Sequence, residues 1–523
     1  MNKLSLFRSN PASLNLFSFL VFATPLSLVF GTFITELLLF ILIFYILFNR
    51  KKNLYFLKDY KKSIFIFFIF YFVIIISSFF SLDQSTSLLK SISYIRFFFL
   101  SIIIYLFFED KKNFNSSVIF FTIFFSILFF DSLFQFFYGK NIIGYKYTLS
   151  RVTSFFNDEH VLGSYISRFY PVILSLIFFS KINYKKQLVI YISIISLIMI
   201  YLSSERTAFI LFIISSFFFI FLKNYRDYLA FLLIFVFTLF IFKGESYDRL
   251  VKHTLEQIYN KKENKINLFS ERHENHIKVA WKIFLDHKLF GSGIKTFRKI
   301  CSDKKYSDEL INYYFHSSRK IYAPVNGEGL VLHDPQTLNN YIFIFKNEIP
   351  PKIKFKISQN KIKKNPTFIM TTEQRINYSK VKNYVQDYNL PKNLPKKFVS
   401  FEVKHLNTFR IIKGDILFRV PDDQFIDGCN THPHHTFIQL LTETGIFSFF
   451  IVLSIFTVVC YNLIKNLLKS IRTKNEYYYG MMMLNVSFFI NLFPFVPSGS
   501  FYNNFLSFIY FFPIGIYYSM LKK

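Results

Sequence analysis

The stretch SIFIFFIFYFVIIISSFF, residues 63–80, decides the fold class of this chain, because it contains no charged side chain. Similar apolar runs cover residues 188–202 and 228–242. The hydrocarbon core of a bilayer is about 30 Å thick, and a helix needs about 20 apolar residues to cross it. A helix on a soluble core would instead carry an apolar stripe along one side. The stretch therefore predicts a membrane-spanning helix.

Comparable segments recur along the chain and predict an all-α polytopic membrane protein of about twelve transmembrane helices. The segments are centred near residues 22, 41, 71, 100, 126, 170, 195, 214, 235, 450, 485 and 511. Residues 1–30 resemble a signal peptide without a clear cleavage site, so we interpret them as a retained first helix. Three domains are expected: an N-terminal bundle over 1–243 with about nine helices, a loop over 244–434, and about three helices over 435–523.

The charge of the connectors between these segments predicts the topology. Connectors 50–62, 111–112, 181–186, 223–226 and 465–474 are basic, whereas those near residues 31, 83, 141, 204 and 498 are poor in Lys and Arg. Short basic loops stay in the cytoplasm. Both termini are therefore expected in the cytoplasm, and the large loop outside it.

The formal net charge of +30 also raises the possibility of a nucleic-acid-binding protein. Many of the lysines lie in the short connectors, where they set topology, and no basic helix or aromatic-studded groove motif is present. We therefore expect membrane lipids, and no nucleic acid, as partners.

The large loop divides into two parts. Residues 271–290 predict an amphipathic helix, which ends at Gly291 and Gly293. Residues 341–420 alternate in short strands and predict a small β-rich insert. Cys301 and Cys429 both fall in the loop, and they can form a disulfide if the compartment is oxidising.

Two arginines are candidate ligands for an anionic group. Arg206 lies in the short turn Ser203–Thr207, where it either pairs with Glu205 or lipid phosphate, or offers a planar bidentate fork to a substrate phosphate. Arg272 lies at the start of the amphipathic helix, where helix capping explains the neighbouring acidic residues but not a guanidinium.

Three histidines, His432, His434 and His435, occur within four residues where the loop meets the next helix. Three interpretations stay open: a polar helix start, a metal site with a thin ligand set, or a general base with a pKa near working pH. The turn Pro494–Asn504 is a fourth polar cluster, which serves as a turn or lines the mouth of a cavity. The predicted topology places all four clusters on the outer side, which suits a substrate that carries a diphosphate at the membrane surface.

Four stretches at these positions resemble the O-antigen ligase and polymerase family of bacterial envelope glycosyltransferases. They are Arg151–Phe156 with Gly163, Ser204–Thr207, Arg272–Gly293 and His432–Gly445. The last is the most specific and is similar to the family's HxHNxxLQxLxExG pattern. The resemblance spans residues 145–515 apart from the β-rich insert. The chain departs from the family at His435, where Asn is usual, and at Lys288, where Pro is usual.

The resemblance implies a multi-pass protein of the bacterial inner membrane that transfers a glycan from undecaprenyl diphosphate to an acceptor hydroxyl on the periplasmic side. It implies that Arg206 and Arg272 hold the diphosphate and that His434 is the base, with His432 beside it. The residues implied to support them are Arg151, Arg168, His435 and Glu443. No metal or other cofactor is implied, because guanidinium groups stabilise the leaving charge.

One alternative lies within this class of enzyme, and another lies outside it. A ligase transfers the glycan to lipid A-core, whereas a polymerase transfers it to another lipid-linked repeat, and nothing in the sequence separates them. A transporter of lipid-linked glycans would also suit twelve helices. Transporters commonly show matching halves and broken or charged helices at mid-membrane, whereas here the halves do not match and the polar clusters lie at one surface.

Overall fold

The computed structural model describes most of the apolar part of the chain and selected segments of the large loop. The described residues are 11–48, 60–147, 151–157, 159–222, 225, 244–252, 254–255, 259–260, 265–266, 269–301, 305–306, the strands between 319 and 419, and 431–521. Helices dominate them, as the sequence predicts.

Thirteen α-helices of at least 10 residues occur within the described residues. Nine precede the large loop: α1 Pro11–Phe30, α2 Thr32–Phe48, α3 Lys61–Phe79, α4 Gln84–Ser93, α5 Ile95–Glu109, α6 Lys112–Tyr138, α7 Leu162–Phe179, α8 Lys185–Ser203 and α9 Arg206–Phe217. The loop contains α10 Glu271–Asp286, and three helices follow it: α11 Thr436–Thr473, α12 Glu476–Asn491 and α13 Asn504–Leu521.

Six of the described helical segments are long and apolar enough to cross a membrane. They are Gln84–Glu109, Lys112–Tyr138, Leu162–Phe179, Lys185–Ser203, Thr436–Thr473 and Asn504–Leu521. Shorter apolar helices cover Leu16–Phe30, Phe33–Phe48, Ser63–Phe79 and Arg206–Phe217. The chain is therefore a mostly helical, multi-pass membrane protein. The count of twelve spans stays a prediction, since the expected segment near residue 235 lies outside the described residues.

The helix α7 lies at the centre of the bundle. It packs against α8, α9 and α12, and only Ser164 and Phe179 among its residues are not buried. Because protein rather than lipid surrounds it, α7 tolerates the buried Arg168 along its length. Its sequence is accordingly less continuously apolar than that of the lipid-facing helices.

The helix α11 is broken at Gly445, where φ is +77° and ψ is −174°. Residues 288–294 fill the break. Ser292 and Gly293 donate their backbone N–H groups to the carbonyls of Thr442 and Glu443 at 2.9 and 2.8 Å, and Ile446 donates to the carbonyl of Lys288 at 3.0 Å. These bonds replace the helical ones that the break removes, which is the condition for irregular backbone inside a bundle.

The contact between residues 288–294 and α11 requires glycine at two positions. A Cβ at Gly445 would lie 2.1 Å from the carbonyl oxygen of Leu289, and one at Gly291 would lie 2.4 Å from the backbone of Glu443. Side chains at these two sites would therefore separate the two segments. A third glycine, Gly293, permits contact with a different segment, since a Cβ there would lie 1.8 Å from the side-chain oxygen of Ser81.

The chain forms two compact units. The first contains Met1–Phe269, Lys288–Ile294 and His434–Lys523, and the second contains Ser270–His287 and Lys295–Pro433. Helix α10, in the second unit, is shorter than the predicted 271–290. The sequence predicts an apolar face made of Ile277, Ala280, Trp281, Phe284 and Leu285. In the structure Ala280 and Phe284 are buried, whereas Trp281 and Leu285 are 44% and 48% exposed.

Nine strands occur in the described parts of the large loop. They are β1 Tyr259–Asn260, β2 Lys265–Ile266, β3 Arg319–Pro324, β4 Leu330–His333, β5 Asn340–Ile344, β6 Pro366–Thr371, β7 Phe398–Val403, β8 Thr408–Ile412 and β9 Asp415–Arg419. One sheet has the order β6-β5-β4-β3-β7, with β5 and β6 parallel, and β8–β9 and β1–β2 are antiparallel pairs. A folded β-rich insert stays a prediction, because most of residues 302–430 lies outside the described ones.

The cysteines occupy three different settings. Cys301 is fully buried and disulfide-bonded. Cys460 is a free, half-buried thiol in α11. Cys429, the partner expected from the sequence, lies outside the described residues, so the pairing of Cys301 with Cys429 stays a prediction.

Candidate functional site

The first part of the site is the turn between α8 and α9, which carries Glu205. Its two carboxylate oxygens accept hydrogen bonds from the backbone N–H groups of Gly163 and Ser164 at 2.7 and 3.0 Å. These are orphan donors of the first turn of α7, and an anionic side chain there is favoured by the helix dipole. A Cβ at Gly163 would lie 2.4 Å from the hydroxyl of Ser203, so glycine permits this close approach. Glu205 thereby holds the start of α7 against the turn.

Three guanidinium groups are electrostatically linked at this turn. Arg151 and Arg168 both act on Glu205, and Arg151 also acts on the neighbouring Arg206, which is a repulsion between like charges. The backbone of the Arg151 segment is attached here, since Val152 donates its N–H to the carbonyl of Leu202 at 3.1 Å. Arg151 therefore lies within electrostatic reach of both Glu205 and Arg206, and neighbouring guanidiniums of this kind favour an anionic ligand.

The protonation of Glu205 depends on several opposing effects. Burial is the largest and raises the pKa of Glu205 from its usual 4.5 to about 7. The hydrogen bonds from Gly163 and Ser164 and the charges of Arg151 and Arg168 act in the opposite direction. The carboxyl is therefore poised to change its charge near neutral pH, which would change the net charge of the guanidinium cluster.

Arg168 is the most buried of the three arginines, with 4% of its surface exposed. One guanidinium nitrogen donates to the hydroxyl of Ser164 at 2.7 Å, and Nε makes no hydrogen bond to the described residues. Its other electrostatic neighbours are Glu205 and Tyr510 of α13. A buried guanidinium with unused donors is expensive unless a ligand or a distributed set of acceptors compensates it.

The second part of the site is the start of α11. His435 is the N-cap residue, and its Nδ1 accepts a hydrogen bond from the backbone N–H of Ile438 at 3.3 Å. Burial lowers the pKa of His435, although an interaction with the carbonyl of Pro494 opposes the change. A neutral imidazole with a free Nδ1 lone pair is the form that can accept this bond. His435 therefore supplies a side-chain acceptor at the N-cap, as Asn commonly does at this position of a helix.

His434 precedes the cap with an unusual backbone. Its φ is +55°, in the left-handed region, and its carbonyl accepts a hydrogen bond from the N–H of Ser498 at 2.8 Å. A non-glycine residue in this region costs of order 1 kcal/mol and is found where the surroundings enforce it. The side chain of His434 is half-buried, which leaves part of the imidazole accessible.

The turn between α12 and α13 is attached to α11 along one face. Gln439 donates to the carboxylate of Glu443 at 2.8 Å and to the hydroxyl of Ser500 at 2.9 Å, and its carbonyl oxygen accepts from the N–H of Phe501 at 2.8 Å. Thr436 donates to the hydroxyl of Ser498 at 2.9 Å. The histidine cluster and the turn Pro494–Asn504, two of the polar clusters predicted from the sequence, are therefore in contact.

A buried hydrogen-bond network around Asp131 and Gln135 was not predicted from the sequence. Asp131 accepts hydrogen bonds from the N–H of Ile142 at 3.0 Å and the hydroxyl of Ser154 at 2.6 Å. Gln135 accepts from the N–H groups of Thr153 and Ser154 at 2.9 and 2.7 Å. Both are fully buried on one face of α6, four residues apart, and this spacing of polar residues in an apolar helix was the available signal.

The two parts of the site lie in the same compact unit, which contains Arg151, Arg168, Arg206 and His434. Arg272 and His432 lie in the other unit. The side chain of Arg272 is not among those described, so its predicted role stays a prediction. The Nδ1 of His432 lies 2.9 Å from the hydroxyl of Thr431.

Comparison with known proteins gives one match. The family model described as O-antigen ligase matches residues 191–319 of the 523. The matched part includes Arg206 and Arg272 and ends before His434. Neither the curated proteins nor the solved structures give a match. The resemblance predicted from the sequence motifs is confirmed by the family match.

Proposed function

We propose, from the premise that this multi-pass membrane protein is similar to the O-antigen ligase family over residues 191–319, that it transfers a glycan from a lipid diphosphate to an acceptor hydroxyl. The donor is an undecaprenyl-diphosphate-linked glycan, and the reaction takes place on the periplasmic side of the bacterial inner membrane. The acceptor is lipid A-core, as in a ligase.

The observation that carries this proposal is a group of three guanidiniums: Arg151 and Arg168 act on the carboxylate of Glu205, and Arg206, the next residue in the chain, interacts with Arg151. Arginine forks match the geometry of phosphate oxygens and form charge-assisted hydrogen bonds with them. In a half-buried site these charges are screened less than in water. The cluster therefore suits a diphosphate, and from the family resemblance we propose that Arg272 also binds the diphosphate.

The same charges lower the barrier to departure of the lipid. During transfer, the acceptor hydroxyl oxygen forms a bond to the anomeric carbon, and the bond from that carbon to the diphosphate oxygen breaks. The electron pair of the broken bond stays on the diphosphate, whose negative charge grows. Guanidiniums positioned for this charge stabilise the transition state without a metal ion. We therefore propose metal-independent transfer.

The proton of the acceptor hydroxyl goes to His434. A neutral imidazole has a ring nitrogen that can accept a proton, which suits histidine to the role of general base. The hydrogen bond from Ser498 to the His434 carbonyl fixes the backbone of this residue, while the side chain stays partly accessible. General base catalysis of this kind contributes roughly 10²- to 10⁴-fold to the rate.

The test is transfer by the purified full-length protein in lipid nanodiscs. The donor is a polyprenyl-diphosphate-linked glycan, offered with either lipid A-core or a second lipid-linked repeat, in buffer containing EDTA. A glycan joined to lipid A-core is the expected product. A lengthened lipid-linked glycan would make the protein a polymerase instead. Absence of both products would reject glycan transfer, and activity that EDTA removes would reject the metal-independent mechanism.

A further inference from the structure

Two polar side chains lie on one face of the apolar helix α6, and the proposed chemistry uses neither of them. Asp131 and Gln135 are fully buried and stand about one helical turn apart in a stretch that consists mostly of phenylalanine. The helix is long and apolar enough to cross a membrane. A carboxylate or an amide inside such a helix costs free energy, which its partners or its function must offset. The hydrogen-bond partners therefore indicate what these side chains do.

Gln135 binds the backbone that follows Arg151. Its carbonyl oxygen accepts hydrogen bonds from the N–H groups of Thr153 and Ser154 at 2.9 and 2.7 Å. Its amide nitrogen donates to the carbonyl of Tyr145 at 3.1 Å. One side chain thus satisfies two buried backbone donors, which lie two and three residues after Arg151. Movement of this backbone would leave both donors without their acceptor.

Asp131 holds the same backbone from the preceding turn of α6. One carboxylate oxygen accepts from the hydroxyl of Ser154 at 2.6 Å, and the other accepts from the N–H of Ile142 at 3.0 Å. Asn141 donates to the carbonyl of Ser154 at 3.0 Å. The φ of Ser154 is +51°, in the left-handed region, which costs of order 1 kcal/mol for a residue other than glycine. The hydrogen bonds to Ser154 offset this cost and fix the direction of the chain.

The other side of this backbone is attached to the turn that carries Glu205 and Arg206. Val152 is buried and donates its N–H to the carbonyl of Leu202 at 3.1 Å, three residues before Glu205 in the chain. Arg151 directly precedes Val152, and its charge acts on both Glu205 and Arg206. Residues 152–154 are therefore held between α6 and the end of α8, and the backbone of Arg151 is held with them.

We infer that Asp131 and Gln135 are positioning residues, which hold Arg151 beside Arg206 so that both guanidiniums bind the same diphosphate. The inference rests on the proposed function, which supplies the diphosphate. Two guanidiniums repel each other, so an unattached Arg151 would move away from Arg206 until a ligand arrived. A backbone that is fixed in advance reduces the ordering that binding must otherwise impose. Asp131 and Gln135 act through Arg151 and do not contact the ligand.

The test is the affinity of the full-length protein in nanodiscs for polyprenyl diphosphate, measured by native mass spectrometry. Gln135→Leu removes the acceptor of Thr153 and Ser154 and is expected to weaken binding about tenfold. In an Arg151→Ala background the same substitution is expected to change the affinity less than twofold, because the residue through which Gln135 acts is already absent. A merely structural role would give the same loss in both backgrounds, and that result would overturn the inference.

A second variant tests the bond to Asp131 with less risk to folding. Ser154→Gly removes the hydroxyl but adopts the positive φ without strain, and it is expected to weaken binding about fivefold. Asn157→Gly is the matched control, because Asn157 also has a positive φ, +55°, and its side chain is exposed. This control is expected to keep its affinity within twofold. Equal losses in the two variants would overturn the role of Asp131.

Hydrogen exchange tests the attachment without a ligand. In Gln135→Leu, the amides of peptides that cover residues 151–157 are expected to exchange at least tenfold faster than in wild type, whereas peptides from α7 are expected to be unchanged. Unchanged exchange at residues 151–157 would overturn the attachment of this backbone by Gln135.

The binding and transfer assays separate the inference from the proposed function. Glycan transfer by the wild type, with an affinity that Gln135→Leu leaves unchanged, would overturn the inference and leave the proposed function. Binding of polyprenyl diphosphate with the expected losses, but without glycan transfer by the wild type, would support the positioning of Arg151 and reject the proposed function.

Discussion

The carboxylate of Glu205 lies 2.7 Å from the backbone nitrogen of Gly163 and caps the helix that carries Arg168. A single side chain therefore both positions α7 and sets the charge among three arginines. Replacement of this residue would change the stability of the bundle and the charge of the site together, which makes the pH dependence of stability the clearest measurement.

Burial raises the pKa of Glu205 to about 7, whereas the unfolded chain titrates at the usual value of 4.5. Between these pH values the folded protein holds a proton that the unfolded chain has released, so stability falls as pH rises from 4.5 to about 7 and then levels off. In Glu205→Gln this part of the decline is expected to disappear. Thermal unfolding in detergent across this range measures it. Glu159→Gln is the control, and a decline equal to wild type in Glu205→Gln would contradict the assignment.

The two neighbouring histidines are expected to respond differently to replacement by asparagine. His434→Asn tolerates the left-handed backbone but removes the imidazole, so transfer is expected to fall by roughly 10²- to 10⁴-fold with little change in Tm. His435→Asn keeps an N-cap acceptor and is expected to retain transfer, whereas His435→Ala is expected to lose about 1 kcal/mol of unfolding free energy. Glycan transfer and thermal unfolding of the three variants measure this. Normal transfer by His434→Asn would reject the base.

Arg206→Lys is expected to keep the charge but lose the planar fork. Loss of charge-assisted hydrogen bonds corresponds to about a ten- to hundredfold decrease in kcat/KM for the lipid-linked donor. The matched control is Arg96→Lys, because Arg96 is paired with Glu36 at 2.8 Å and donates to Asn504 at 2.9 Å. That variant is expected to lower Tm and to leave kcat/KM near wild type. Equal effects on kcat/KM would indicate that Arg206 is structural.

Gly445 and Gly139 form a matched pair for the broken helix. Both have positive φ, +77° and +73°, so alanine strains the backbone similarly at each. A Cβ at Gly139 meets nothing within 4 Å, whereas one at Gly445 would lie 2.1 Å from the carbonyl oxygen of Leu289. Gly139→Ala is expected to cost about 1–2 kcal/mol. Gly445→Ala is expected to cost clearly more and to reduce the yield of monodisperse protein, and equal Tm values would argue against the contact.

The sequence predicts the helical membrane architecture well, because apolar runs depend only on local composition. The segment near residue 170 shows the limit. It contains Arg168 and is less apolar than the other predicted segments, yet α7 is the central helix, because protein surrounds it and most of its polar residues are buried. His435 stands where the resembled family usually has Asn, and its imidazole accepts the N-cap hydrogen bond from Ile438, which the sequence does not predict. The role of Gln439, which joins α11 to the turn between α12 and α13, depends on long-range contacts that the sequence does not display.

The broken helix α11 has a consequence for how the protein is made. If α11, with its break at Gly445, entered the bilayer alone, the carbonyls of Thr442 and Glu443 would lack hydrogen-bond donors. Each unpaired group costs several kcal/mol in lipid. Their donors, Ser292 and Gly293, lie earlier in the chain and leave the ribosome first. The order of synthesis therefore supplies residues 288–294 before the helix that needs them, and the placement of these residues becomes a step in assembling the membrane bundle.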